Sequence, residues 1–370
     1  MRESQCARIL KVNRITRNSL KPRALNSLIA KLAMILFAAS PSLGFSWGEK
    51  GHHIVCDEAT RLIKEEGLKA LLKTRGHMMG HLCNIPDIHW KSLPSEVSGI
   101  GNPAHFLEPD MVGLSIKDLP TSFPDFMAKL AEHGDPTKLV NKVGSLWWRV
   151  DQLNNLAIES GKKIAANPPP QNFAQEQQST LEYNVAVYGM MLNMGIMGHF
   201  LGDASMPYHN WADYDGFGSG HGGIHAYYEG TCPGEYGSDF NSQVHDAGLK
   251  IKTFKEGLSA IDVLKLVSTD AVAEVPTVEK LDKVLEPSTQ TVTPEGMSIK
   301  KVALRPDPAL QCPNFRPLIT TQMAKSAKAL AFIWDQIYIK VGRPGLAPYK
   351  SYRYPLAPVF IVPDYLMTTP

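Results

Sequence analysis

The 370-residue chain has no internal repeat, no low-complexity block and no convincing run of alternating apolar and polar residues. Neither a solenoid nor a strand-built fold finds support in such a pattern. No charge sign dominates either: 38 Lys+Arg face 36 Asp+Glu, a net of +2, with 44% hydrophobic residues. This ordinary composition excludes wholesale disorder and collagen-like structure. There is no G-x-S-x-G elbow, no H-E-x-x-H and no Walker loop, so three common hydrolase schemes lose their nucleophile, metal or phosphate cradle. No C-x-x-C pair occurs, which argues against thiolate zinc and thioredoxin-type chemistry. No N-x-[ST] sequon follows residue 46, as fits a bacterial source.

What charge there is lies unevenly. Residues 1–46 carry eight basic side chains and one acid, Glu3, before an apolar run at Leu32–Ser40, then Pro41 and the small residues Gly44 and Ser46. A basic region, a short apolar run and small residues before Trp47 read as a secretory signal peptide. The run falls short of the roughly 20 apolar residues a membrane span needs. Removing the eight bases and one acid of 1–46 from 38 and 36 leaves 30 and 35, so the mature chain is acidic at −5. It is expected in the periplasm or outside the cell. Four cysteines remain, Cys56, Cys83, Cys232 and Cys312, and in an oxidising compartment they suggest two disulfides with three connectivities open, against buried free thiols as the plain alternative.

Helical periodicity runs through 53–73, 138–166, 175–203 and 317–341, and Asn167-Pro168-Pro169-Pro170 separates the second stretch from the third. The spacing predicts an all-α fold: a single helical-bundle domain over 47–342 with long Gly/Pro-rich loops, followed by an extended Pro/aromatic-rich tail at 343–370. A hairpin or irregular excursion fits the Val/Thr/Pro-rich stretch 272–312. The tail either wraps the domain or meets a membrane through its aromatics. The apolar stretch 185–202 is interrupted by Asn193 and His199 and carries glycine at 189, 195, 198 and 202, which favours a closely packed buried helix over a span.

Chemistry gathers at the end of that stretch. His199 and Asp203 lie four apart, one helical turn, so both can reach one ion. His225 and Glu229 repeat the spacing, and the Gly-rich loop between the pairs holds His209 and His221. His53/Asp57 and His209/Asp213 share the pattern, so clustering rather than any one pair points to metal, against solvated or core histidines as the plain alternative. His221 could reach a substrate phosphate or be solvated; His77, His81, His133 and His245 belong to no constellation and are expected at the surface.

Trp47-Gly-Glu-Lys-Gly-His52 and Gly198-His-Phe-Leu-Gly-Asp-Ala-Ser-Met-Pro-Tyr-His209 resemble the trinuclear-zinc phosphodiesterases, which include bacterial zinc-dependent phospholipase C and the fungal single-strand-specific nucleases. The resemblance spans Trp47 to about Gly230, with a fainter match over 324–341 and none over 231–316. It implies a helical fold whose N-terminal Trp, exposed by leader cleavage, chelates zinc through its α-amino nitrogen and carbonyl oxygen. Three Zn2+ follow: one on Asp87, His105, His199 and Asp203; a second on His209, His225 and Glu229; a third on Trp47, His52 and the shared Asp203. Asp87 is implied as the catalytic residue that steers the zinc-bound hydroxide nucleophile. By their position beside ligands, His53 and His89 are expected as partners that orient a carboxylate.

Glu229 as the last ligand, where the nucleases have Asp, the short interval from His209 to His225, and the acidic mature chain point to the phospholipase C branch. Trp90 stands where the nucleases carry an arginine, with Lys91 beside it. Lys50, Ile88 and Asn102 occupy the positions that box choline in phosphatidylcholine-cleaving relatives, so a neutral or anionic head group is the better expectation. The resemblance therefore implies a secreted monomeric enzyme acting transiently on phospholipid at a membrane surface, with no protein partner. A single-strand nuclease or 3′-nucleotidase acting on nucleic acid is the alternative, and a non-catalytic zinc-binding protein the second.

Overall fold

A computed structural model describes residues 47–294 and 296–367. The leader expected at 1–46 lies outside the described residues. The described chain is all-α apart from one hairpin. Its principal helices are α1 (Gly48–Leu62), α2 (Gly76–Ile88), α3 (Leu146–Ala166), α4 (Glu182–Ser205), α5 (Phe240–Lys250), α6 (Ala260–Val272) and α7 (Pro308–Lys340).

The bundle is built around α4, which packs against α1, α2, α3, α6 and α7. Its most apolar window is 78% buried inside the protein, so length and hydropathy that would suit a membrane span serve a core helix. Glycine in a helix costs about 1 kcal/mol relative to alanine, and here it permits close approach. A Cβ at Gly198 would lie 2.2 Å from Cys56 Sγ, and one at Gly202 2.7 Å from His52 Nδ1. The helix therefore presents His199 and Asp203 within reach of α1.

Three expected helices are broken. The stretch 175–203 divides into Phe173–Gln177 and Glu182–Ser205, with Asn184 Nδ2 donating to Gln175 O and Gln178 O beside the break. The other two breaks also have identifiable causes. The stretch 53–73 ends α1 at Leu62 because the N–H groups of Lys64 and Glu65 donate to the Asp335 carboxylate on α7. The stretch 138–166 breaks at Gly144, whose φ of 92° and lack of a Cβ let it lie against the Phe106 carbonyl. The helix expected at 317–341 instead starts at Pro308, capped by Asp307, whose Oδ1 accepts the Ala309 N–H at 2.9 Å. Two disulfides form: Cys56–Cys83 joins α1 to α2, and Cys232–Cys312 joins the 232–235 turn to α7. Two such bonds fit an oxidising, extracellular-type environment.

The excursion over 272–312 holds a short helix and an antiparallel hairpin, β1 (Thr289–Val292) and β2 (Ser298–Lys301), pairing Thr289 with Lys301 and Val292 with Ser298. Its base is tied to the Gly-rich loop: Ser288 N–H donates to Gly220 O and Ala303 N–H to Gly222 O, both at 2.9 Å. The tail is extended and lies along α2 and α3 through its carbonyls. Trp90 Nε1 donates to Pro358 O (3.0 Å), Arg149 Nη2 to Ile361 O (2.6 Å) and Gln152 Nε2 to Val362 O (2.7 Å).

Candidate metal centre

Eight imidazole and carboxylate side chains from α1, α2, α4 and three loops meet in one buried region with the backbone nitrogen of Trp47. Three groups have ligand atoms within 4.8 Å of one another: His52/His199/Asp203, Asp87/His105/His199 and His209/His225/Glu229. They form a continuous chain. Asp203 lies 3.3 Å from His52 Nε2, 3.1 Å from His105 Nδ1 and 3.4 Å from His199 Nε2. His199 Nε2 is 3.5 Å from Asp87 Oδ1, and His209 Nε2 is 4.0 Å from Asp203 and 3.5 Å from Glu229. His225 Nε2 lies 2.9 Å from Glu229 Oε1.

Trp47 closes the arrangement. It is fully buried, its indole Nε1 donates to Gly202 O at 2.7 Å, and its backbone nitrogen donates to Glu229 Oε2 at 2.9 Å. The resemblance groups Trp47 with His52 and Asp203; the observed bond is to a carboxylate of the neighbouring group. His199 in turn belongs to two groups rather than one.

Local structure explains the placement. His199 and Asp203 share a face of α4, and Asp87 occupies the last turn of α2. His105 ends a 3-10 turn, Asn102–His105, and His209 lies in another, Pro207–Asn210; the Leu107 N–H donates to His209 O at 2.8 Å and links the two. Backbone carbonyls orient two imidazoles: His199 Nδ1 donates to Cys83 O at 2.8 Å and His225 Nδ1 to Tyr214 O at 2.9 Å, which turns each Nε2 inward as an acceptor.

The donor set fits a divalent metal. His209 Nδ1 and Nε2, His225 Nε2 and Glu229 Oε1 are buried without an aligned hydrogen-bond partner. Each polar group left so costs roughly 1–3 kcal/mol, and a cation held among them would satisfy several at once. Burial lowers His199 and His105, keeping both imidazoles neutral and able to ligate. Burial alone would raise the carboxyls, but His199 and His209 pull Asp203 well below its usual range. In the same way His199, Lys91 and His105 outweigh burial and hold Asp87 down to about 2. Burial would lower His225, yet Glu229 beside it raises it. These groups could hold metal ions.

Residues outside the expected set also reach the centre. Lys91 Nζ lies 2.6 Å from Asp87 Oδ1, a contact whose four-residue spacing was legible. Tyr214 stacks on His225 with ring centroids 3.9 Å apart, for which no sequence signal existed. The His53 ring packs on His77 with centroids 4.9 Å apart. His221 is held in the fold and partly buried: its Nδ1 meets Asp282 Oδ2 at 2.9 Å, while Arg305 donates to the Asp282 carboxylate and to the His221 carbonyl. His245 has a partner after all, the buried Glu58 at 3.0 Å.

No protein-family model matches this chain, and no curated protein matches its sequence.

Proposed function

We propose that the protein is a secreted zinc-dependent phosphodiesterase of the phospholipase C type, with a leader removed before Trp47. The observation that carries the reading is the burial of the Trp47 nitrogen against Glu229, inside a cluster that already joins eight imidazoles and carboxylates. Cleavage before Trp47 would turn that nitrogen into a ligating amine. The donors are imidazole and carboxylate only, with every mature cysteine in a disulfide, a set that suits three zinc ions held as the resemblance implies.

Zinc, when bound, supplies Lewis acidity toward phosphoryl oxygens and acidifies a water molecule to give the nucleophile. The chain's own groups do the rest. Asp87, held as a carboxylate, accepts a hydrogen bond from the attacking water and aims it; its low pKa makes it a poor proton donor at neutral pH. Lys91 places a cation beside Asp87, positioned to meet a phosphate oxygen. Asn102, His105 and Arg149 line a small adjoining cleft with Lys91, which adds positive charge beside the carboxylates.

Lys50, considered above for the head group, donates instead to Tyr236 O at 2.6 Å. One observation favours the nuclease alternative: Lys91 restores a cation near the position where the nucleases carry arginine. The mature protein should release phosphorylated head group from phospholipid in a chelator-sensitive reaction while leaving single-stranded DNA and RNA intact. Nucleic-acid cleavage without head-group release reverses the assignment.

A further inference from the structure

The C-terminal strap inverts the usual relation between backbone and side chain. Its carbonyls turn inward, to His81 from Pro355, to Trp90 from Pro358, to Arg149 from Ile361 and to Gln152 from Val362. Its apolar side chains turn outward: Leu356 is 73% exposed and Val359 87%. Phe360, next to Val359, points in, edge-on to Trp90 at 5.2 Å, and Ile361 packs against the core beside it. The tail's aromatics, read from sequence as candidate membrane contacts, are divided by this geometry, with Tyr349 buried and Tyr352 exposed.

Exposed aliphatic residues this numerous along one ordered segment mark an interaction surface. The composition selects the occupant. Tyr352, Tyr354, Leu356 and Val359 are flanked by the exposed cations Lys350 and Arg353, on a mature chain whose net charge is −5. Interfacial tyrosine, basic residues and aliphatic side chains together are the set that lies at a lipid head-group boundary. Prolines at 355, 358 and 363 remove N–H groups that a non-aqueous surface would leave unsatisfied. The patch also borders the metal centre: Phe360 and His105 line one pocket, Ile100 adjoins Gly101 that packs on Phe360, and exposed Ile88 follows Asp87.

We propose that the strap, through Leu356 and Val359 with Lys350 and Arg353 at its edge, docks the protein on the surface of a phospholipid bilayer beside the metal centre. This rests on the phospholipase reading for its purpose, but not for its test. The fixed backbone means that docking orders little new chain, so few side chains suffice.

The mature protein, held in chelator so that no turnover occurs, is sedimented with phosphatidylcholine vesicles with and without phosphatidylglycerol. Leu356→Asp/Val359→Asp should weaken vesicle binding by about tenfold or more, while metal content and turnover of a dispersed short-chain diester stay at wild-type levels. Both substituted side chains are exposed, so the fold should survive. Equal vesicle binding by the variant overturns the proposal, as does no vesicle binding by wild type, or a self-association that the variant abolishes in place of vesicle binding. Vesicle binding that the variant loses, with no hydrolysis of any phospholipid, upholds docking and sinks the phospholipase reading alone.

Discussion

The backbone nitrogen of Trp47 lies 2.9 Å from Glu229 Oε2, across 182 residues of sequence. A protein that begins at Trp47 has an amine at that point; one that begins earlier has an amide, which cannot ligate. Retaining Phe45 and Ser46 should lower the affinity of one metal by at least about tenfold and depress activity with it. Metal titration of the two forms measures this, and equal affinities would remove Trp47 from the ligand set.

His199 belongs to two ligand groups and His225 to one. His199→Ala should therefore lose more bound metal per chain than His225→Ala, as read by elemental analysis after gel filtration. Both should lose nearly all activity, since the groups that would hold the metals are joined through Asp203 and Glu229. Equal metal loss from the two variants contradicts the shared placement of His199.

Lys91 pairs with Asp87 at 2.6 Å. Lys91→Gln should reduce kcat/KM on phosphodiesters by roughly 10–100-fold, in line with the 1.5–3 kcal/mol of a charge-assisted bond. Lys91→Arg should restore much of it. Unchanged kinetics in Lys91→Gln would show that the lysine only neutralises Asp87.

Glu108 is buried, and burial with Asp110 nearby raises its carboxyl to about 9. The folded state thus retains a proton that the unfolded chain releases above its ordinary range near 4.5. Stability from this group is complete at acid pH and is lost as pH climbs toward 9. Glu108→Gln should match wild type near pH 5 and exceed it near pH 9, by an amount on the order of a few kcal/mol at most. Melting curves in the same metal-free buffer test it; a constant difference across pH contradicts the raised carboxyl.

The Cys232–Cys312 bridge closes a loop of 80 residues that includes the hairpin and the short helices around it. Replacing both cysteines by serine should cost about 2–4 kcal/mol, seen as a lower urea midpoint. The Cys56–Cys83 pair, packed against Gly198, should be less tolerant, because its removal also empties contact space beside the helix that carries His199.

Part of the centre is local and was therefore readable. Spacing of four residues on a helix sets the reach of His199 to Asp203, and helical pitch does not depend on the rest of the molecule. The apolar face of α4, its glycines and the all-α class were legible for the same reason. By contrast, α2 escaped notice because its two glycines and Pro86 blur the apolar period. The break at Ile63 was invisible because its cause, Asp335, stands more than 270 residues away in sequence.

Distances between helices follow from packing, which no spacing rule encodes. The bare backbone at Gly202 lets His52 approach Asp203, Cys56 chooses Cys83 from three partners, and Arg305 with Asp282 captures the His221 that sequence left open. The outward turn of Leu356 and Val359 depends on hydrogen bonds that Trp90 and Arg149, residues on other elements, donate to the strap carbonyls. Which residues carry donors, charge and period is written along the chain. Which of them meet is decided by side-chain volume and hydrogen-bond satisfaction across the fold, quantities defined only once the helices are packed.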